Sequence, residues 1–136
     1  MASIRREIVI AAPPERVWDA VRDVGAIHER LAPGFVTDVQ LEEGARVVTF
    51  GTGMVVRELL VDLDEEARRL VWSARDGGMT HHNASAQVFA EGAGRTRFVW
   101  IADLLPDEVA PAVAALIDEG IAAIGKTLGA AGGELG

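Results

Sequence analysis

Apolar and polar positions along this chain change period several times, and each change marks a new element. From Ser3 to Ala11, Ile4, Ile8 and Ile10 share one face, which predicts a first strand. Pro13-Pro14-Glu15 then opens a helix. Proline suits a first turn whose N–H groups lack partners, and Glu15 complements the helix dipole. Val17, Trp18, Val21 and Val24 form its buried side; Gly25 interrupts it, and a short second helix carries Ile27, His28 and Leu31 before Pro33-Gly34 stops it.

The period then falls to two. Thr37, Val39 and Leu41 alternate with Asp38, Gln40 and Glu42, a half-exposed strand. Further strands are predicted over Arg46–Phe50, Met54–Leu63, Leu70–Ala74, His82–Ala90 and Thr96–Ala102. Turn residues separate them: Glu43-Gly44, Gly51-Thr52-Gly53, Asp64-Glu65-Glu66, Asp76-Gly77-Gly78 and Glu91-Gly92-Ala93-Gly94. Loops of hairpin length make the sheet antiparallel. After Pro106 the period returns to that of a helix: Val109, Val113, Leu116, Ile117, Ile121, Ile124 and Leu128 recur at three- and four-residue steps from Asp107 to Leu128. Such a helix is roughly 30 Å long. Entered straight from a series of hairpins, it can bury its stripe only across the sheet they make, which leaves a pocket between the two.

The expected fold is therefore α+β: a curved antiparallel sheet of about seven strands, two short helices after the first strand, and a long C-terminal helix across the sheet. Residues 1–128 form one domain, and Gly129 to Gly136 is expected to be a flexible Gly/Ala-rich tail.

Composition narrows the function classes. A chain of 136 residues with 49% hydrophobic and 25% charged side chains suits one globular domain without metals or disulfides. There is no cysteine, so thiolate ligands and nucleophiles are excluded. No apolar run approaches the ~20 residues of a membrane span, and the N-terminus does not read as a signal peptide, so a cytoplasmic protein is expected. Thirteen basic against 21 acidic residues give a net charge of −8. With no Lys/Arg run, nucleic acid is not an expected partner. Arg5-Arg6 and Arg68-Arg69 are isolated pairs that read as solvated strand ends.

Certain segments, taken in this order, carry a resemblance: Ala12-Pro13-Pro14-Glu15-Arg16-Val17-Trp18 after the first strand, Val55-Val56-Arg57-Glu58 on the fourth, Gly94-Arg95-Thr96-Arg97 with Trp100 beyond it, and the terminal helix. The chain resembles the helix-grip proteins of the SRPBCC superfamily, which includes START lipid-transfer domains, birch-pollen-allergen-like proteins and polyketide cyclases. The likeness covers essentially the whole chain and is nearest to the polyketide cyclase/dehydratase-like branch. It implies a fold rather than a chemistry, because the superfamily shares no catalytic residues. Many relatives carry a tryptophan just before the second strand, where this chain has Leu31-Ala32-Pro33-Gly34-Phe35. Phe35 is the candidate for that place at the pocket mouth.

The fourth strand poses a choice. Arg57 shares a face with Val55, Leu59, Val61 and Leu63, whereas Glu58 shares the other with Met54, Val56 and Leu60; one charged side chain must sit on the concave face. The resemblance favours an inward Glu58. A buried carboxylate is costly unless paired or protonated, so it reads either as a general base or ligand anchor, or as half of a cross-strand salt bridge. Alternation groups His82 with Ala84, Ala86 and Val88, and an inward His82 near Glu58 would make an acid–base pair. His28, His81 and His82 invite a zinc reading, but neighbouring strand residues point to opposite faces, so no metal site is assigned.

Trp18 reads as core. Trp72 and Trp100, with Phe35, His28, Ile117 and Ile121, are the candidate ligand contacts, since aromatic walls suit a flat hydrophobic molecule. The glycine turns lack the strand–glycine–helix context of a phosphate loop, and no nucleophile elbow or dinucleotide fingerprint is present, so no cofactor is expected. A dry void of ~300 Å³ would cost about 7 kcal/mol, comparable with the stability of a whole domain. Side chains, water or a ligand must therefore occupy the pocket.

The leading expectation is a binder of a small hydrophobic molecule: a lipid, a polyketide or an aromatic metabolite. One alternative is a cyclase/dehydratase-like enzyme using Glu58 and His82 as acid and base. Another is a protein–protein interaction module, which a large exposed apolar patch would favour.

Overall fold

The computed structural model describes residues 2–75 and 78–129. Its strands are β1 (Ala2–Ile10), β2 (Val36–Glu42), β3 (Ala45–Phe50), β4 (Val55–Asp64), β5 (Arg69–Ala74), β6 (His81–Ala90) and β7 (Thr96–Leu105). Two helices accompany them, α1 (Pro14–Arg22) between β1 and β2, and α2 (Ala110–Ile124) after β7. All seven strands join one sheet in the order β1-β7-β6-β5-β4-β3-β2. Every neighbouring pair is antiparallel. From β2 to β7 the chain is thus a simple meander, as hairpin-length loops dictate. Only β1 arrives from afar, pairing with β7 from Ala2↔Leu104 to Ile10↔Thr96.

Register shifts interrupt two of the ladders, between Val36 and Asp38 in β2 and between Leu60 and Asp62 in β4. An extra residue at such points bends its strand and increases the twist, and so curls the sheet into a trough. The outer face of β4 stays in solvent: Val55 and Val61 are exposed, with Arg57 between them. Glu58 lies on the opposite, inward face and is buried, as the resemblance implied.

The trough is filled from one end by α1 and crossed by α2. Val17, Ala20 and Val21 of α1 are almost fully buried. Trp18 joins them in the core while its Nε1–H donates to Glu65 Oε1 at 2.7 Å, the partner a buried indole requires. At the base of the last hairpin Thr96 is fully buried, and its hydroxyl donates to the Ala12 carbonyl at 2.7 Å, tying β7 to the end of β1. Ile117, Ile121 and Ile124 are the buried residues of α2 that share the main core cluster.

Two elements differ from the periodicity reading. The short second helix is a single wide turn, Ile27–Leu31, closed by the Ala32 N–H donating to the Ile27 carbonyl at 2.8 Å. The seven residues between Gly25 and the Pro33-Gly34 stop leave room for little more. The long C-terminal rod is a tight turn at Asp107–Val109, the α-helix proper, and a widened last turn at Gly125–Gly129. Pro111 stands in the first turn of α2, where its missing N–H costs nothing. Part of the Asp76-Gly77-Gly78 turn and residues 130–136 of the expected tail lie outside the described residues.

Candidate functional site

Between the concave face of the sheet and α2 lies a cavity of about 440 Å³. Strand alternation builds its floor. From β3 come Arg46, Val48 and Phe50, from β4 Val56 and Glu58, and from β5 Leu70, Trp72 and Ala74. Further along, β6 contributes His82 and Ala86, and β7 Phe98 and Trp100. The roof is the side of α2 that carries Val113, Leu116 and Ile117. Met54 and Glu108, both exposed, mark where the cavity opens.

The aromatic side chains pack edge to face. Trp72 and Trp100 have ring centroids 6.0 Å apart at 61°, and Phe35 and Phe50 lie 5.3 Å apart at 75°. Such pairs favour edge-on geometry because the ring face is negative and the edge positive.

One ion pair interrupts this apolar lining. Arg46 and Glu58 are directly opposed across β3 and β4, and Arg46 Nε donates to Glu58 Oε1 at 2.8 Å. Relative exposure is 4% for Arg46 and 7% for Glu58, so the pair is largely out of solvent. Arg46 Nη1 donates to the Val24 carbonyl at 3.3 Å, and the guanidinium carbon stands 5.5 Å from the Trp72 ring centroid. The ring face attracts the cation and helps to hold it flat. Of the two readings of an inward Glu58, this geometry is the cross-strand salt bridge, and the bridge itself faces the cavity.

The polar row continues across the sheet. Glu58 is paired with Ala74 on β5, and the Ala74 N–H donates to His82 Nδ1 at 2.9 Å. The regular β5–β6 register ends at Trp72↔Ala84. Beyond it His82 supplies an acceptor from its side chain, and Ser73 Oγ donates to the His82 carbonyl at 2.6 Å. With Nδ1 accepting, the neutral imidazole carries its proton on Nε2. Burial pushes the His82 pKa down, neighbouring His81 adds to this, and Asp103 opposes it.

Of the residues singled out from the sequence, Glu58, His82, Trp72, Trp100, Phe35 and Ile117 share this one cavity. Glu58 and His82 are not hydrogen-bonded to each other among the described residues; each bonds a different partner, and the strand carrying Ala74 runs between them. Two candidates lie off the wall. Ile121 is buried beside it, and Ile124 lines the cavity instead. A seven-residue step from Ile117 returns to within ~20° of the same line on a helix, whereas a four-residue step overshoots by ~40°. His28 likewise falls outside the lining, which takes its neighbours Ile27 and Leu31. The buried His28 Nδ1 has no hydrogen-bond partner among the described residues, and its Nε2 lies 4.0 Å from Glu29. Among the described residues no three His, Asp or Glu side chains gather as a metal site.

Arg46 is the buried charged site residue that sequence reasoning missed. The signal was present: Arg46, Val48 and Phe50 alternate on β3, and all three face the cavity.

The family described as polyketide cyclase/dehydrase and lipid transport has a model that matches residues 1–129. The chain belongs to this family. Solved structures with the same architecture are many, and three illustrate their range. A protein from Thermobifida fusca, solved in solution, is 32% identical, with a TM-score of 0.75 over 93% of this chain and 89% of its own. An uncharacterized protein from Bacillus thuringiensis superposes with a TM-score of 0.83 at 18% identity, over 93% of this chain and 98% of its own. The di-domain ARO/CYC protein BexL, from the BE-7585A biosynthetic pathway, gives 0.75 at 17% identity. This chain is covered to 93% there and BexL to 46%, the share of one of two domains. At the lower identities the likeness is one of fold. No curated protein matches the chain in sequence. No helix among the described residues is long and apolar enough to cross a membrane.

Proposed function

We propose that the protein binds a small, flat, largely apolar molecule, such as a polyketide, an aromatic metabolite or a lipid, between its sheet and α2. The observation that carries this reading is the cavity, about 440 Å³ with Trp72, Trp100, Phe35 and Ile117 on its wall. That size falls within the range of small-molecule sites, which are mostly apolar with a few converging polar groups. Physical cost points the same way. An empty, dry void of that volume would forfeit about 10 kcal/mol of packing at ~24 cal/mol per Å³, as much as the net stability of many domains. An occupant offsets that loss. Membership of a polyketide cyclase/dehydrase and lipid transport family supports a ligand-binding role.

Titration with a panel of fatty acids, flat aromatic compounds and polyketide-like ketones, followed by tryptophan fluorescence, tests the reading. Saturable change is expected with the flat members, and it should weaken when Trp72 or Trp100 is replaced by alanine. Silence across the whole panel would refute it.

A second reading, proton transfer of the cyclase/dehydratase kind, draws on one observation: Glu58 and His82 open on the same cavity. In it Glu58 takes the α-proton of a bound β-hydroxy ketone and returns it to the departing hydroxyl, which leaves as water, while the Nε2–H of neutral His82 hydrogen-bonds the ketone oxygen. Incubation with such a ketone, followed by the absorbance of the unsaturated product, separates this from simple binding. The reading requires turnover that His82→Phe abolishes.

A further inference from the structure

We propose that the Arg46–Glu58 ion pair is the polar anchor of the cavity, and that it selects a neutral, flat ligand bearing a hydroxyl or keto group at one edge over both hydrocarbons and carboxylates. This rests on the ligand-binding reading above and names the chemistry of the occupant.

The placement of the pair makes the case. Both partners are more than nine-tenths buried, yet both are on the cavity wall rather than packed away from it. The guanidinium is fixed on three sides, by Glu58 at 2.8 Å, by the Val24 carbonyl at 3.3 Å and by the Trp72 ring at 5.5 Å. Holding the pair in place therefore adds little ordering cost when a ligand arrives. Trp72 serves twice: it supports the guanidinium, and it offers aromatic surface to the ligand beside it.

The pair also has hydrogen-bonding capacity beyond its own bond. A guanidinium carries five N–H donors and a carboxylate about four lone-pair sites. The bonds to Glu58 and Val24 use only part of each set. A ligand hydroxyl can accept from Arg46 and donate to Glu58, and a keto oxygen can accept from Arg46. A hydrocarbon would strip water from both groups and return nothing, the situation in which polar sites discriminate most strongly. A carboxylate fails for a different reason. The pair is neutral as a unit, so the ligand would bring an uncompensated negative charge into an apolar site beside Glu58. His82, on the same cross-strand row, offers a further neutral polar group to a ligand with a second oxygen.

Calorimetric titration of the whole protein with 2-naphthol, naphthalene and 2-naphthoate tests this, since the three share one flat body. The expected order is naphthol first, by about tenfold over naphthalene for a hydrogen bond to a charged partner, with naphthoate weakest. Equal affinity for naphthol and naphthalene would overturn the anchor while leaving the binding reading intact. Naphthoate binding tightest would also overturn it, making Arg46 an anion site. No saturable heat from any of the three would overturn the binding reading and the anchor together.

The double variant R46M/E58L removes both charges at once and should keep the fold, because buried ion pairs are commonly replaceable by apolar side chains. It should still bind naphthalene, with the naphthol preference reduced to within about twofold; a preference that survives sinks the proposal. A readout that needs no variant is the Arg46 Nε–H resonance of isotope-labelled wild-type protein. Naphthol should shift it and naphthalene should not, and a naphthol-saturated protein with that resonance unmoved counts against the anchor.

Discussion

Gly120 and Trp100 touch through a side chain that is not there: a Cβ on Gly120 would stand 2.8 Å from Cζ3 of the indole. The same atom would lie 2.9 Å from Cε2 of Phe35. Both aromatic residues line the cavity, so the bare backbone of α2 at this point lets the two rings lie back against the helix and keeps the space beneath them open. Gly120→Ala is expected to push both rings into the cavity. Overpacking costs about 1–3 kcal/mol, offset by about 1 kcal/mol of helix propensity. Urea denaturation should thus show a net loss of up to about 2 kcal/mol. Ligand titration should show weaker binding of flat molecules, and unchanged affinity would mean that the rings do not set the width of the site.

The Arg46–Glu58 pair predicts an asymmetry between single and double substitutions. Glu58→Leu alone strands a buried guanidinium and should cost about 3–5 kcal/mol. Arg46→Met alone strands the carboxylate and should cost as much. The double variant should lie much nearer the wild type than either single one. Equilibrium unfolding of the four proteins closes the cycle, and additive losses would show that the two residues are not coupled.

His82 makes stability depend on pH in a definite direction. Its pKa is held below the ordinary value of about 6.5 by burial, with His81 reinforcing and Asp103 opposing. The unfolded chain therefore takes up this proton first as pH falls. Above about pH 6.5 both states are neutral here and nothing is lost; as pH drops below it, stability declines until the folded pKa is reached. Glu7 and Glu65 are held below the usual carboxylate range, chiefly by hydrogen bonds from Arg5 and Arg22, and so stay ionised down to about pH 5. Urea midpoints between about pH 8 and about pH 5 should fall for the wild type, and the decline should flatten in His82→Gln.

Thr96 should prove structural alone. Its buried hydroxyl donates to the Ala12 carbonyl, and it is not on the cavity wall. Thr96→Val keeps the shape, leaves that carbonyl without its donor and should cost about 1–3 kcal/mol. Ligand affinity measured on the same variant should be unchanged.

Much of this architecture is legible in the sequence, because the signals that carry it are local. Strand alternation put Trp72 with Leu70 and Ala74, and His82 with Ala86, and each of these sets faces the cavity. Glycine turns marked the hairpins, and Pro13-Pro14 and Pro106 marked the approaches to the two helices. What failed did so where a short-range rule met a long-range constraint. Ile121 follows the apolar period yet misses the wall, because the line of contact on α2 is set by how the helix lies on the sheet. His28 sits one residue from Ile27, and that single step turns it off the lining.

The chain's own pattern of twos, threes and fours was enough to specify the meander, the crossing helix and the space between them, since periodicity decides which face of each element must leave water. It could not say that Arg46 would meet Glu58 inside that space, or that Gly120 would let Trp100 lie back and hold it open. Those facts depend on register between strands and on helix placement, which arise only when residues far apart in the chain are packed together.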